Sequence, residues 1–410
     1  MQFFKKEKPF YLFSLALFIL SALYGLLIRW NFVFPIQSFT YKNFLQSHSH
    51  VAFLGWGYIA TIGAIIQCFV SSTIKQKHIY KITLLVIFIT VTLMLFSFPL
   101  GGYKLFSIVL LCLFGVTSYV LSFKLLKDIK GECISTKLIK YGIYYYLLSS
   151  LATWFLAYVL VSQGKTELYY NTVYFYLHFL YNGYFVFVLF GLLFKIIENQ
   201  QIVISENLQK YFFIFLNIAC IPAYALSILW SKVGLTFHII GFLATILQLI
   251  SLVYLFRILK KVYHQLKWKA ISKVLLKFGV IAYSLKIVIQ ILSSLPYFVE
   301  KSLALKPFLI IGYLHLFTLG FMSVFVFLIL IQLHKIQLKT TSSKIGLVIF
   351  LIGVVATELL LFTQGFLLLI GLTPIHNYQL LLLCVSVLLV LGLLFIFINQ
   401  LKKTSIKINL

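Results

Sequence analysis

Apolar residues in this chain come in runs of about 20, the length that crosses the roughly 30 Å hydrocarbon layer as a helix. Polar residues, lysine above all, are concentrated in the short stretches between the runs. The pattern predicts spans near 10–28, 50–70, 80–98, 105–123, 141–161, 169–196, 211–229, 235–256, 274–295, 308–333, 345–370 and 377–398. The expectation is an all-α polytopic transmembrane bundle of about twelve helices. The loops are too short to hold a soluble domain, and no Gly/Ser- or Pro-rich linker divides the chain. Residues 1–410 are therefore read as one transmembrane domain, with no internal repeat evident.

Composition agrees with that reading. Hydrophobic residues make up 62% of the 410, and the mean hydropathy is +1.05. The first apolar run is long enough to span and has no small-residue cleavage site, so it is read as an uncleaved first helix.

The 34 Lys and Arg residues orient the bundle, because cytoplasmic loops carry the excess of positive charge. Twenty-five, from Lys5, Lys6 and Lys75 through Lys267 to Lys407, fall on one side. Seven, including Arg29, Lys104 and Lys232, fall on the other, and Lys277 and Lys286 lie inside a span. Both termini are thus expected in the cytoplasm, in a multi-pass protein of the cytoplasmic membrane. The formal charge of +26 is matched to anionic lipid headgroups, and nucleic acid is not expected as a partner. Five cysteines form no CxxC pair, which disfavours disulfides and a thiolate metal site.

Six of the nine histidines, His48, His50, His178, His238, His315 and His376, fall in the outward halves of the spans or at their outer ends. Imidazole in or beside hydrocarbon is costly unless it is hydrogen-bonded, paired or bound to a metal, so these residues are functional candidates. His48 and His50 stand two apart and cannot face one bundle centre together unless the first precedes the helix. His50 is therefore the expected inward residue and His48 a rim residue. Below His50 a small stripe, Gly57, Thr61 and Ala64, permits close packing. In the sixth span Asn171, His178 and Asn182 share a face, as do His238, Gly241, Thr245 and Gln248 in the eighth. These stripes line a wet path or bond a neighbouring helix. His315 follows Tyr313 in the tenth span, while His376 sits after Pro374.

Two intramembrane charges stand apart. Glu358 and Lys286 lie at similar depth, either as a buried ion pair or as parts of a proton path. Lys286, Gln290 and Ser293 share one helical face.

Twelve helices with histidines in the second, sixth and tenth resemble subunit I of the haem-copper oxidases. They resemble equally NnrS, the twelve-helix haem- and copper-containing membrane proteins linked to nitric oxide. The resemblance covers most of the chain in topology and only short segments in sequence. It implies a non-covalent b-type haem held by His50 (or His48) and His315, with His178 in the place of a copper ligand. Arg29 and Trp30 become candidates for the haem propionates, since guanidinium pairs with carboxylate.

The departures matter as much. Tyr313 stands where the oxidases carry the first histidine of an HxH, and the seventh span lacks their histidine pair. The resemblance therefore leaves one two-ligand haem and no complete copper site, although His178 and His238 remain candidates for copper. A bis-histidine haem implies electron transfer or sensing, with redox proteins as partners, ahead of oxygen reduction. The alternative is a proton-coupled transporter using Glu358 and Lys286, with histidine relays.

Overall fold

The computed structural model describes residues 7–231 and 233–405, so Lys5, Lys6, Lys232 and Lys407 lie outside it. Every element among the described residues is helical. Eleven helices are long and apolar enough to cross a membrane, and a bent pair supplies a twelfth. In hydrocarbon the backbone must satisfy its own hydrogen bonds, which is why these apolar runs fold as helices throughout.

The spans in order are 1 (Pro9–Val33), 2 (Tyr41–Phe69), 3 (His78–Gly101), 4 (Leu105–Asp128), 5 (Ile134–Gln163) and 6 (Glu167–Glu198). Span 7 is the bent pair Glu206–Cys220 and Pro222–Ser231. Then come 8 (Leu235–Val262), 9 (Ala270–Ser293), 10 (Pro307–Gln332), 11 (Thr341–Leu369) and 12 (Tyr378–Leu401). The two parts of span 7 meet at 45°. Pro222 lacks the N–H that would continue the ladder, and a short 3₁₀ turn takes over.

Span 2 departs most from expectation, because helix begins at Tyr41 and His48 is already about two turns inside it. His48 is therefore not the rim residue that its place before the apolar run suggested. His376 precedes span 12 and is exposed.

The chain forms two compact units, one from residues up to Asp128 together with those from Val326 on, the other from Ile129 to Phe325. In the first, Trp56 stacks on Phe18 with ring centres 4.9 Å apart, and Phe327 and Phe350 close around the pair. Spans 11 and 12 meet through Gly346 and Gly392, where an added Cβ on Gly392 would stand 2.6 Å from the Phe350 nitrogen. In the second, spans 5 and 6 approach through Gly142, Gly183 and Gly191. Such small residues let membrane helices gain van der Waals contact without a hydrophobic driving force. Phe190 is enclosed there by Phe212, Tyr283, Phe321 and Phe325.

Candidate functional site

Three stretches widen from α to π geometry: Val51–Tyr58, Phe179–Phe185 and Leu316–Ser323. Each begins one residue after a histidine, namely His50, His178 and His315. π-Helical turns are rare and gather at functional sites. All three have the same local sequence: a histidine, a glycine five residues on, and an aromatic residue after the glycine. These are Gly55–Trp56, Gly183–Tyr184 and Gly320–Phe321. Two residues before each histidine stands His48, Tyr176 or Tyr313.

The preceding spans repeat as well. Trp56 packs on Phe18 of span 1, Tyr184 on Tyr146 of span 5 (5.4 Å) and Phe321 on Tyr283 of span 9 (5.0 Å). A Cβ on Gly55 would meet Leu17, and one on Gly183 would meet Tyr145, the residues just before Phe18 and Tyr146. Ser21 Oγ donates to the carbonyl of His48 at 2.8 Å, and Ser149 Oγ to the carbonyl of Tyr176 at 2.7 Å. In the third copy the matching place is held by Lys286. Every fourth span thus returns to the same construction, which single-residue reading missed. The shared histidine-to-glycine-to-aromatic spacing is the signal that reveals it.

Within that frame the histidines differ in what their rings do. His48 and His50 both lie in helix and point to different neighbours. His48 faces span 1: its Nδ1 is 2.8 Å from the Ser21 carbonyl and therefore carries the proton it donates. The ring lies so close to Gly25 that a Cβ there would stand 2.8 Å from Cε1. Arg29 continues the Ser21 and Gly25 face by one turn and is close enough to act on His48 electrostatically. Among the described residues the hydrogen bonds of the His48 ring are both at Nδ1, to the carbonyl and the hydroxyl of Ser21. His50 instead stacks on Phe98, and its Nε2 lies 2.7 Å from the Tyr103 hydroxyl.

His178 is buried with both ring nitrogens occupied. Nε2–H donates to the Cys220 carbonyl at 2.8 Å, and Nδ1 accepts from Asn182 at 3.2 Å. The carbonyl is available because span 7 breaks there: the Tyr224 N–H, which an unbroken α-helix would send to Cys220, bonds Ile221. A metal at His178 would have to displace one of these bonds. The Asn171 amide donates to Ser231 at 3.4 Å.

His238 Nδ1–H donates to the Ser294 carbonyl at 2.8 Å, while Gly241 of the same stripe packs on Leu226. Tyr313 reaches the Asn182 side chain, and His315 is half-buried at the start of its π segment. Among the described residues no three His, Cys, Asp or Glu side chains gather as a metal-ligating group.

Lys286 donates from Nζ to Gln248 Oε1 at 3.1 Å. Both oxygens of Glu358 are buried without a hydrogen-bond partner among the described residues. No family model matches this sequence, and no curated protein matches it either.

Proposed function

We propose that the chain is an integral membrane protein that binds a non-covalent b-type haem and works in respiratory electron transfer or the response to nitric oxide. On this reading it resembles haem-copper oxidase subunit I and NnrS. The observation that carries the reading is the His48 ring, held through Nδ1 on the Ser21 carbonyl just before the π-helical segment of span 2.

On span 2 the residue proposed for axial ligation is His48. His48 meets the usual requirement of a metal-bound imidazole: one ring N–H is anchored on a carbonyl, which fixes the tautomer and leaves the other nitrogen as the donor. Gly25 supplies the room beside the ring, and Arg29 stands near for a propionate. A haem bound there through imidazole would supply single-electron transfer. Copper is the less supported cofactor, since His178 is occupied on both nitrogens.

The lysine bias supports an orientation with both termini in the cytoplasm, and the proposal takes the cytoplasmic membrane as the location, with the lipid bilayer and redox proteins as partners. A dithionite-reduced minus oxidised spectrum of the purified protein tests the reading. The α-band is expected in the wild type and in His50→Ala, and absent from His48→Ala. A wild type without an α-band ends the proposal.

A proton-coupled transporter is the second reading, favoured by the unpartnered Glu358 carboxyl. It predicts purified protein without haem and vesicle uptake that collapses with an uncoupler and in Glu358→Gln.

A further inference from the structure

Lys286 breaks the repeat described above. In the first two copies the position holds serine, and Ser21 and Ser149 each tie down the carbonyl two residues before the copy's histidine. In the third the side chain is an amine, and it bonds Gln248 of span 8 instead. Departure from a local rule that the rest of the fold keeps is expected at functional sites.

The surroundings of the amine are specific. Lys286 is 1% exposed, and its Nζ lies 5.3 Å from the centre of the Tyr283 ring. The titratable groups near it are Cys220 on span 7, His178 on span 6 and Tyr283 on its own helix. No carboxylate pairs with it among the described residues. The second unit offers none at depth: Glu132, Glu167, Glu198, Glu206 and Glu300 all lie in loops, in the short helix Pro296–Ala304 or at span ends. Two further polar atoms are stranded beside it. Gln248 Nε2 is buried with no acceptor, and Gln290 Oε1, one turn along from Lys286, is buried with no donor. Gln248 and Gln290 are 5% and 4% exposed, so water does not reach them freely.

An ammonium in hydrocarbon without a counter-charge is among the most costly arrangements a membrane protein can hold. The inventory supplies what would offset it. Two N–H bonds of the ammonium remain after the one given to Gln248, and the Gln248 amide adds two more donors. Even if Gln290 Oε1 takes one ammonium hydrogen, one Lys286 N–H and the Gln248 Nε2 hydrogens are left without an acceptor, and leftover donors of that kind describe an anion site.

We propose that Lys286, Gln248 and Gln290 form an intramembrane site for a small monovalent anion. The anion accepts from Lys286 Nζ and Gln248 Nε2. Gln290 Oε1 accepts a further ammonium hydrogen and holds the amine toward the anion. Anion and proton enter together, so that the loaded site is neutral overall. The inference is independent of the haem reading and stands or falls without it.

The test is calorimetric titration of the purified full-length protein with sodium nitrite, sodium formate and sodium chloride. It is run at mildly acidic and at alkaline pH, in two buffers of different ionisation enthalpy. Saturable binding of at least one anion is expected, with about one proton taken up per anion and weaker binding at alkaline pH. Lys286→Ser restores the residue found in the other two copies and should fold. It is expected to weaken binding by at least about tenfold, roughly one charge-assisted hydrogen bond. Gln248→Leu should weaken it similarly, and Lys286→Arg should keep the anion while losing the proton uptake. Absence of binding by all three anions, or equal binding by Lys286→Ser and wild type, overturns the proposal.

Discussion

Ser21 and His48 hold each other by two reciprocal bonds: the serine hydroxyl donates to the histidine carbonyl at 2.8 Å, and the histidine Nδ1–H donates to the serine carbonyl at 2.8 Å. The pair locks span 2 onto span 1 and fixes which imidazole nitrogen stays available. Removing the hydroxyl should therefore loosen the ring without removing it. For Ser21→Ala we expect a retained but shifted or broadened α-band and a lower thermal midpoint. The lost bond is worth about 1 kcal/mol. An unchanged spectrum together with an unchanged midpoint would show that the pair orients nothing.

The Gly25 side of the same ring gives a sharper steric test. A Cβ at this position would stand 2.8 Å from His48 Cε1 and 3.1 Å from Nδ1, so Gly25→Ala must push the imidazole off its carbonyl. Loss of most of the haem, with the helical circular dichroism intact, is the expected result. Full haem content in this variant would point to His50 as the ligand on span 2.

His178 is predicted to be a structural residue, and a double-mutant cycle can show it. The imidazole satisfies the Cys220 carbonyl that the break at Pro222 leaves open. Burying that carbonyl without a donor costs about 1–3 kcal/mol, the expected loss for His178→Phe in thermal or denaturant unfolding. Pro222→Ala restores an N–H for the Ile218 carbonyl, and with the ladder closed the Tyr224 N–H returns to Cys220. The second substitution should therefore cancel part of the first, a coupling that a metal-ligand role for His178 would not produce.

How much of this was legible beforehand follows from the kind of signal each feature leaves. Spans are written in long apolar runs, so all twelve could be read, most to within a few residues. Span 2 began early because Tyr41–His50 is a polar helical stretch, which hydropathy alone excludes. The histidines were legible as residues that hydrocarbon does not tolerate idle. Their division into occupied and available rings was not, since it depends on carbonyls supplied by other spans: Ser21 for His48, Cys220 for His178 and Ser294 for His238. The repeat escaped because, apart from the histidine and the glycine, its positions share shape and aromaticity rather than identity. Phe18, Tyr146 and Tyr283 match in role, as do Trp56, Tyr184 and Phe321.

The repeat itself makes a packing prediction. Gly183 lets span 6 rest on span 5 where a Cβ would come within 2.5 Å of Tyr145 Cβ, a contact no rotamer change relieves. Gly183→Ala should destabilise the second unit by about 1–3 kcal/mol, the usual cost of overpacking. Gly164 has nothing within 4 Å of its Cβ position, but its positive φ of 71° makes it a poor control. Gly234 has equal space and an extended backbone, with φ of −62°, so Gly234→Ala should leave the thermal midpoint unchanged.

Glu358 carries the last prediction. The rest of span 11 satisfies its polar groups: Thr357 donates to the Gly353 carbonyl at 2.8 Å, and Gln364 accepts from the Ile375 N–H at 2.8 Å. Both Glu358 oxygens are buried with no donor among the described residues. A carboxyl kept in that state destabilises the fold by about 1–3 kcal/mol relative to an apolar side chain of similar size. Glu358→Leu should therefore raise the thermal midpoint of the purified protein, against the general tendency of substitutions to lower it. A fold that retains so costly a group does so for what the group carries, so the stabilised variant should also lose proton-coupled uptake in vesicles. A lowered midpoint would mean that the carboxyl has a bonded partner in the membrane, and would remove the observation on which the transport reading rests.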